Sequence, residues 1–119
     1  MTRYATIAGV GSALPPRLVP NTWFEGFVDT NDEWIRDRTG IEARHFADDD
    51  VQASDLAVEA AHAALASAGV SAEQLDMIVC ATITGDTQFP ATAVWMQTKL
   101  GVNCPSFDVN AGHQPPSSA

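Results

Sequence analysis

The apolar positions of this chain fall into short runs separated by glycine and proline, with one longer helical stretch among them. Residues 5–14 (Ala-Thr-Ile-Ala-Gly-Val-Gly-Ser-Ala-Leu) are apolar and close in glycines, the pattern of a buried first strand entering a loop. Residues 15–20, framed by prolines, read as a loop, and Asn21 can cap a short helix through Trp23, Phe24 and Phe27. Over residues 29–41, Thr30 is a good N-cap and Glu33, three residues on, completes a capping box. Gly40 supplies the stop, so a helix of a little over two turns is predicted. Residues 41–46 alternate and suggest an extended segment, followed by the acidic turn at Asp48, Asp49 and Asp50.

The longest helix is predicted over 55–68, capped by Ser54 and ended by Gly69, with alanine on nearly every face. Such a surface implies close packing on a sheet or another helix. Residues 71–74 start a short turn. Residues 77–82 form a continuous apolar run, typical of a buried parallel strand. A loop follows at 84–89, then a helix from Pro90, at its first position, to Leu100, ended by Gly101. Ser106–Val109 is another short strand. Strand, helices, strand, helix, strand is an α/β order with a mainly parallel sheet.

At 119 residues the chain is at most one domain. A net charge of −9 argues against nucleic acid and against an anionic membrane surface. No segment is long enough to cross a membrane and the N-terminus lacks the features of a signal peptide, so a soluble, cytoplasmic protein is expected. Three of the six basic residues, Arg36, Arg38 and Arg44, lie in or just after the 29–41 segment, which leaves room for local attraction of a phosphate. Cys80 and Cys104 have no close histidine or metal-ligand spacing and read as structural. His62 has no obvious partner and reads as a surface or boundary residue. The acidic turn lacks the spacing and glycine of a calcium loop, and no metal is expected. Gly9 and Gly11 lack the third glycine of a dinucleotide fingerprint, and Pro15 and Pro16 stand where its helix would begin; they are better explained by close backbone approach.

Trp34 and Arg38 are four residues apart and share a helix face, so a flat ring lies beside a planar cation. That pairing suits a flat, anionic ligand such as a nucleotide. Spacing alone favours the other reading, a tryptophan packed in the core with Arg38 in a surface ion pair, since most helical aromatic pairs are packing.

The segment Asp29-Thr30-Asn31-Asp32-Glu33-Trp34-Ile35 with Arg38-Thr39-Gly40-Ile41 resembles the signature of β-ketoacyl-acyl carrier protein synthase III, the condensing enzyme that starts fatty acid synthesis. The resemblance runs from about Tyr4 to Ala111 through Ser54–Ala61, 75–79, Phe89–Ala93, Lys99–Gly101 and 107–111. It implies the first part, about one third, of a thiolase-like αβαβα fold built as a homodimer, with residues 1–111 the partial N-terminal half and 112–119 a divergent Pro/Ser tail. It implies that Trp34 and Arg38 hold the adenine end of coenzyme A, with acyl-CoA as substrate rather than a permanent cofactor, and that acyl carrier protein is a partner. It also implies that Phe89 reaches into the partner's acyl pocket, although a simple loop-anchoring role fits the residue equally.

The chain departs from the family at the nucleophile. Where the family has cysteine, at the buried start of a helix that lowers its pKa, this sequence has His113. The following Gln-Pro-Pro-Ser-Ser does not continue a buried helix, and the family's catalytic His and Asn would lie past residue 119. The implied activity is a Claisen condensation of acyl-CoA with malonyl-acyl carrier protein, carried here by a truncated or frameshifted, inactive chain. The alternative is a non-catalytic CoA- or protein-binding remnant. With the nucleophile helix absent, apolar strand faces are expected to be exposed, an aggregation liability.

Overall fold

The structure, a computed structural model, describes residues 1–110. It contains four strands and three α-helices: β1 (Arg17–Pro20), α1 (Asp32–Thr39), β2 (Ala43–Phe46), α2 (Ala53–Ala68), β3 (Ile78–Ala81), α3 (Thr92–Leu100) and β4 (Ser106–Val109). Short 3-10 turns occupy Asn21–Gly26 and Ala72–Gln74. The chain divides into two compact units, Leu14–Val51 and the remainder. The excursion is self-contained because β1 and β2 pair with each other.

In the Leu14–Val51 unit, β1 and β2 are antiparallel, with Leu18 opposite His45 and Val19 opposite Arg44. The strand β1 falls where the prolines predicted a loop: Pro20 ends the strand and Pro16 precedes it, so neither is needed as a ladder donor. Asn21 is not a helix cap. It is 1% exposed and acts as a hydrogen-bond hub, donating Nδ2 to Asp32 Oδ1 (2.8 Å) and to the Ile41 carbonyl (2.7 Å) and accepting from Arg44 Nη2 (2.7 Å). A buried amide that fills its bonding capacity in this way ties the 3-10 turn, α1 and β2 together. Trp23 packs edge to face on Phe24, Phe27 and Phe46, Phe24 does so on Phe46, and Arg44 sits 4.5 Å from the Phe24 ring centroid.

In the other unit β3 and β4 pair in parallel, with Ile78 opposite Ser106 and Cys80 opposite Asp108. One antiparallel and one parallel pair replace the expected mainly parallel sheet. Ile78, Ala93, Met96 and Cys104 form the core, which Ala57, Val58, Leu75, Leu100 and Val102 extend. This places α2 and α3 on one face of the β3–β4 pair. The strand β3 is therefore buried on one face only, not on both as its apolar run suggests. Val79, Phe107 and Val109 on the other face are exposed, because nothing among the described residues covers them.

Residues 5–14 form no strand, since no strand of the described residues pairs with them, and Tyr4, Ile7 and Val10 are exposed. The close approach expected at Gly9 and Gly11 is present. A side chain at Gly9 would meet the Ala68 Cβ at 2.9 Å, and one at Gly11 would collide with the Ala60 carbonyl and reach the Ala63 Cβ at 2.8 Å. The alanine face of α2 is thus explained by a backbone lying directly on it. Gly11→Ala is expected to weaken this docking by about 1–3 kcal/mol, the usual range for overpacking. Limited proteolysis within residues 1–13 should become faster while β3 and α3 stay intact; an unchanged cleavage rate would contradict the close packing.

The helix stops are as expected, with Gly40, Gly69 and Gly101 at φ of 71°, 66° and 70°. The starts are not. Asn31, not Thr30, caps α1, accepting from the Trp34 amide at 2.8 Å, while Glu25 accepts the Asp32 amide. Gln52 caps α2 in a capping box with Asp55. The helix α3 begins at Thr92, two residues past Pro90, and its own N-cap, Ala91, offers no side-chain acceptor. No helix among the described residues is long and apolar enough to cross a membrane.

Candidate functional site

The helix α1 displays Trp34 and Arg38 rather than burying them. No residue of α1 is buried, and Trp34 is 55% exposed. Arg38 Cζ lies 5.7 Å from the Trp34 ring centroid, a cation stacked over an aromatic face. Among the described residues Arg38 makes no salt bridge. The neighbouring arginine takes that role, with Arg36 reaching Glu42 at 2.9 Å and Asp32 at 3.7 Å. This is the displayed ring and cation that the sequence left open, and not a core tryptophan beside an ion-paired Arg38. Asp32 and Glu33 in the first turn and Arg36 and Arg38 in the last turn also complement the helix dipole.

Trp34 forms the edge of two concavities. One is polar, lined by Asn31, Glu33, Trp34 and Asp37. The other, about 430 Å³, is mainly apolar and includes Phe24, Val28, Thr30, Trp34 and Arg44. Two polar atoms of this second set, Thr30 Oγ1 and Arg44 Nη1, are buried without a hydrogen-bond partner. Thr30 is free to sit there because Asn31 took over the cap. The two carboxylates beside Trp34 disfavour a phosphate group at the ring itself, so the pair is better suited to an uncharged heteroaromatic base than to a phosphate.

In the other unit Phe89 stands at the end of the loop between β3 and α3 and is 90% exposed. The loop beneath it is fastened by contacts among Ser54, Asp55, Asp86 and Lys99 that the sequence did not show. Asp86 accepts from the Ser54 amide (2.9 Å) and from the Ser54 hydroxyl, and Lys99 Nζ reaches Ser54 Oγ (2.5 Å) and Asp55 (2.6 Å). Lys99 and the Gln52 amide hold the Asp55 carboxyl below its usual value, in that order of importance. That contribution is present above the ordinary carboxylate range and is lost as pH falls through the lowered value. Asp108, on β4, accepts the first two amides of α3, from Thr92 (2.7 Å) and Ala93 (2.8 Å). No periodicity or motif marks these contacts, since each joins residues far apart in the chain.

Cys80 is half-buried beside Asp108 and Asp86. Burial first, and then the charges of Asp108 and Asp86, push its thiol up, which makes it a poor nucleophile near neutral pH. Cys104 is buried, as expected of a structural residue, and His62 is exposed. No group of three His, Cys, Asp or Glu side chains among the described residues could hold a metal ion. His113 lies outside the described residues.

No protein-family profile matches the chain. It is 55% identical over 112 residues to the β-ketoacyl-[acyl-carrier-protein] synthase III of Ruegeria pomeroyi, a match covering 93% of this chain and 35% of the relative. The crystal structure of 3-oxoacyl-[acyl-carrier-protein] synthase III from Aquifex aeolicus superposes with a TM-score of 0.81 at 40% identity, covering 88% of this chain and 34% of that one. The priming β-ketosynthase of the R1128 polyketide pathway does so with a TM-score of 0.81 at 34% identity, covering 92% and 33%. The chain spans about a third of the length of the curated relatives that it matches.

Proposed function

We propose that this chain, which matches β-ketoacyl-acyl carrier protein synthase III over about a third of the relatives' length, is the coenzyme A-facing N-terminal part of such a synthase. The fold is then the opening of a thiolase-like αβαβα domain over residues 1–111, with 112–119 diverging from it. The activity served is condensation of an acyl-CoA primer with malonyl-acyl carrier protein in a homodimer. Trp34 and Arg38 clamp the adenine, and Phe89 forms part of the acyl pocket. The observation that carries this reading is the exposed Trp34 ring with Arg38 stacked on it, at the edge of a mainly apolar cavity.

His113 stands where the family places its nucleophilic cysteine. An imidazole there has no cysteine thiolate to receive the acyl group, so the chain by itself binds without condensing. The competing reading, a CoA- or protein-binding remnant, shares the clamp and differs only in lacking a catalytic parent.

The clamp is tested by titrating the full chain with coenzyme A, with adenosine 3′,5′-bisphosphate and with pantetheine, following tryptophan fluorescence. The first two are expected to give a saturable change and pantetheine none. Equal responses to all three, or none to coenzyme A, would overturn the clamp. Condensing turnover by the unmodified chain would overturn the non-catalytic part of the reading.

A further inference from the structure

The loop that carries Phe89 is held at one point far more firmly than its exposure suggests. Asp86 accepts two hydrogen bonds from Ser54, through the Ser54 amide at 2.9 Å and the Ser54 hydroxyl. Its own amide donates to Thr92 Oγ1 at 3.1 Å. Ser54 and Thr92 are both fully buried, at 0% exposure. A single hydroxyl proton sets the direction of the chain: Lys99 Nζ donates to Ser54 Oγ at 2.5 Å, and Ser54 in turn donates to Asp86. The Lys99 cation, paired also with Asp55 at 2.6 Å, thereby offsets the Asp86 charge through a neutral hydroxyl.

The neighbouring residues tighten the same point. A side chain at Gly85 would collide with Thr92 Oγ1, so the loop backbone lies directly on the start of α3. Thr87 Oγ1 donates to the Pro90 carbonyl at 2.8 Å and accepts from Trp95 Nε1 at 3.0 Å. Phe89, at 90% exposure, is the most exposed large apolar side chain of this loop, ahead of Ile83 at 72%.

We infer that Asp86, held by Ser54 and Lys99, is a positioning residue that fixes Phe89 as a rigid prong, so that the acyl-binding wall assigned to Phe89 has a set place instead of a mobile one. The pin itself is a property of the β3–α3 loop. Its link to acyl binding rests on the proposed function, and the experiment below reads the pin alone, so failure of the acyl reading would leave its result standing.

The test is ¹⁵N relaxation and amide exchange on the full chain and its variants. In Asp86→Ala, residues 87–89 should become mobile and amide exchange at position 86 should rise about tenfold or more, as for a locally released segment. Core amides of Ile78 and Met96 should keep their protection. Asp86→Asn retains an acceptor for the Ser54 amide and should hold the loop close to its original order. Ser54→Ala removes only the hydroxyl and should give an intermediate loosening, which decides the matter if Asp86→Ala does not fold. An ordered loop in Asp86→Ala or in Ser54→Ala would overturn the inference. So would a loosening spread evenly over β3, α3 and the loop, since that marks a merely structural contact.

Discussion

Asp108→Ala is expected to cost about 3–5 kcal/mol, because it removes both acceptors from two buried amides at once, and a hydrogen bond to a charged group contributes about 1.5–3 kcal/mol. The carboxylate takes the Thr92 amide at 2.7 Å and the Ala93 amide at 2.8 Å, and both residues are 0% exposed. Neither amide has another acceptor in reach of the helix's own cap, since Ala91 provides none. The negative charge also faces the positive end of the α3 dipole. Against a total stability of about 5–15 kcal/mol for a small domain, this loss is enough to unfold a marginal chain. Asp108→Asn keeps one oxygen and should lose roughly half as much. Urea denaturation followed by circular dichroism measures both, and exchange of the Thr92 and Ala93 amides localises the damage. If the alanine variant melts with the unmodified chain, the cap is not what holds α3 on the sheet.

Trp34→Ala should weaken coenzyme A binding by about thirtyfold, or about 2 kcal/mol, the middle of the range for stacking a base on an aromatic side chain. The stability cost should be small, because the ring is 55% exposed and α1 is capped by Asn31 whatever residue stands at 34. Trp34→Phe keeps a smaller face and should recover part of the affinity. Arg38→Ala should have a weaker effect, about 0.5–1 kcal/mol, as befits an exposed cation stacked on a ring. With Glu33 and Asp37 lining the neighbouring concavity, the affinity at this point should also depend little on salt, because a base carries no charge to screen. Calorimetry with coenzyme A and adenosine 3′,5′-bisphosphate checks the ranking. A Trp34→Ala variant that binds as tightly as the original would remove Trp34 from the site.

The two variants probe opposite kinds of information. Trp34 and Arg38 were legible because four-residue spacing on a helix places two side chains on one face, and Gly40 reliably ended that helix. Local chemistry suffices for such features. The same holds for the tight approach at Gly9 and Gly11, which small residues on both surfaces announced. The helix starts were misread for a related reason: Thr30, Ser54 and Pro90 are each good local signals, but the N-terminal amides found better acceptors elsewhere. Asn31 and Glu25 served α1, Gln52 and Asp55 served α2, and Asp108 served α3.

Alternation, apolar runs and glycine stops thus determined that this is an α/β chain, where its helices end, and that Trp34 and Arg38 share one helix face. Only the tertiary structure decided strand pairing, because a backbone edge has no residue-level code for its partner: β1 appeared in a proline-rich loop once β2 offered it a ladder. It also decided that residues 5–14 remain unpaired and that β3 is buried on one face. Asp86 and Asp108 were invisible for the same physical reason. A carboxylate's function depends on which amides and hydroxyls lie within about 3 Å of it, and here those belong to residues 15 to 32 positions away.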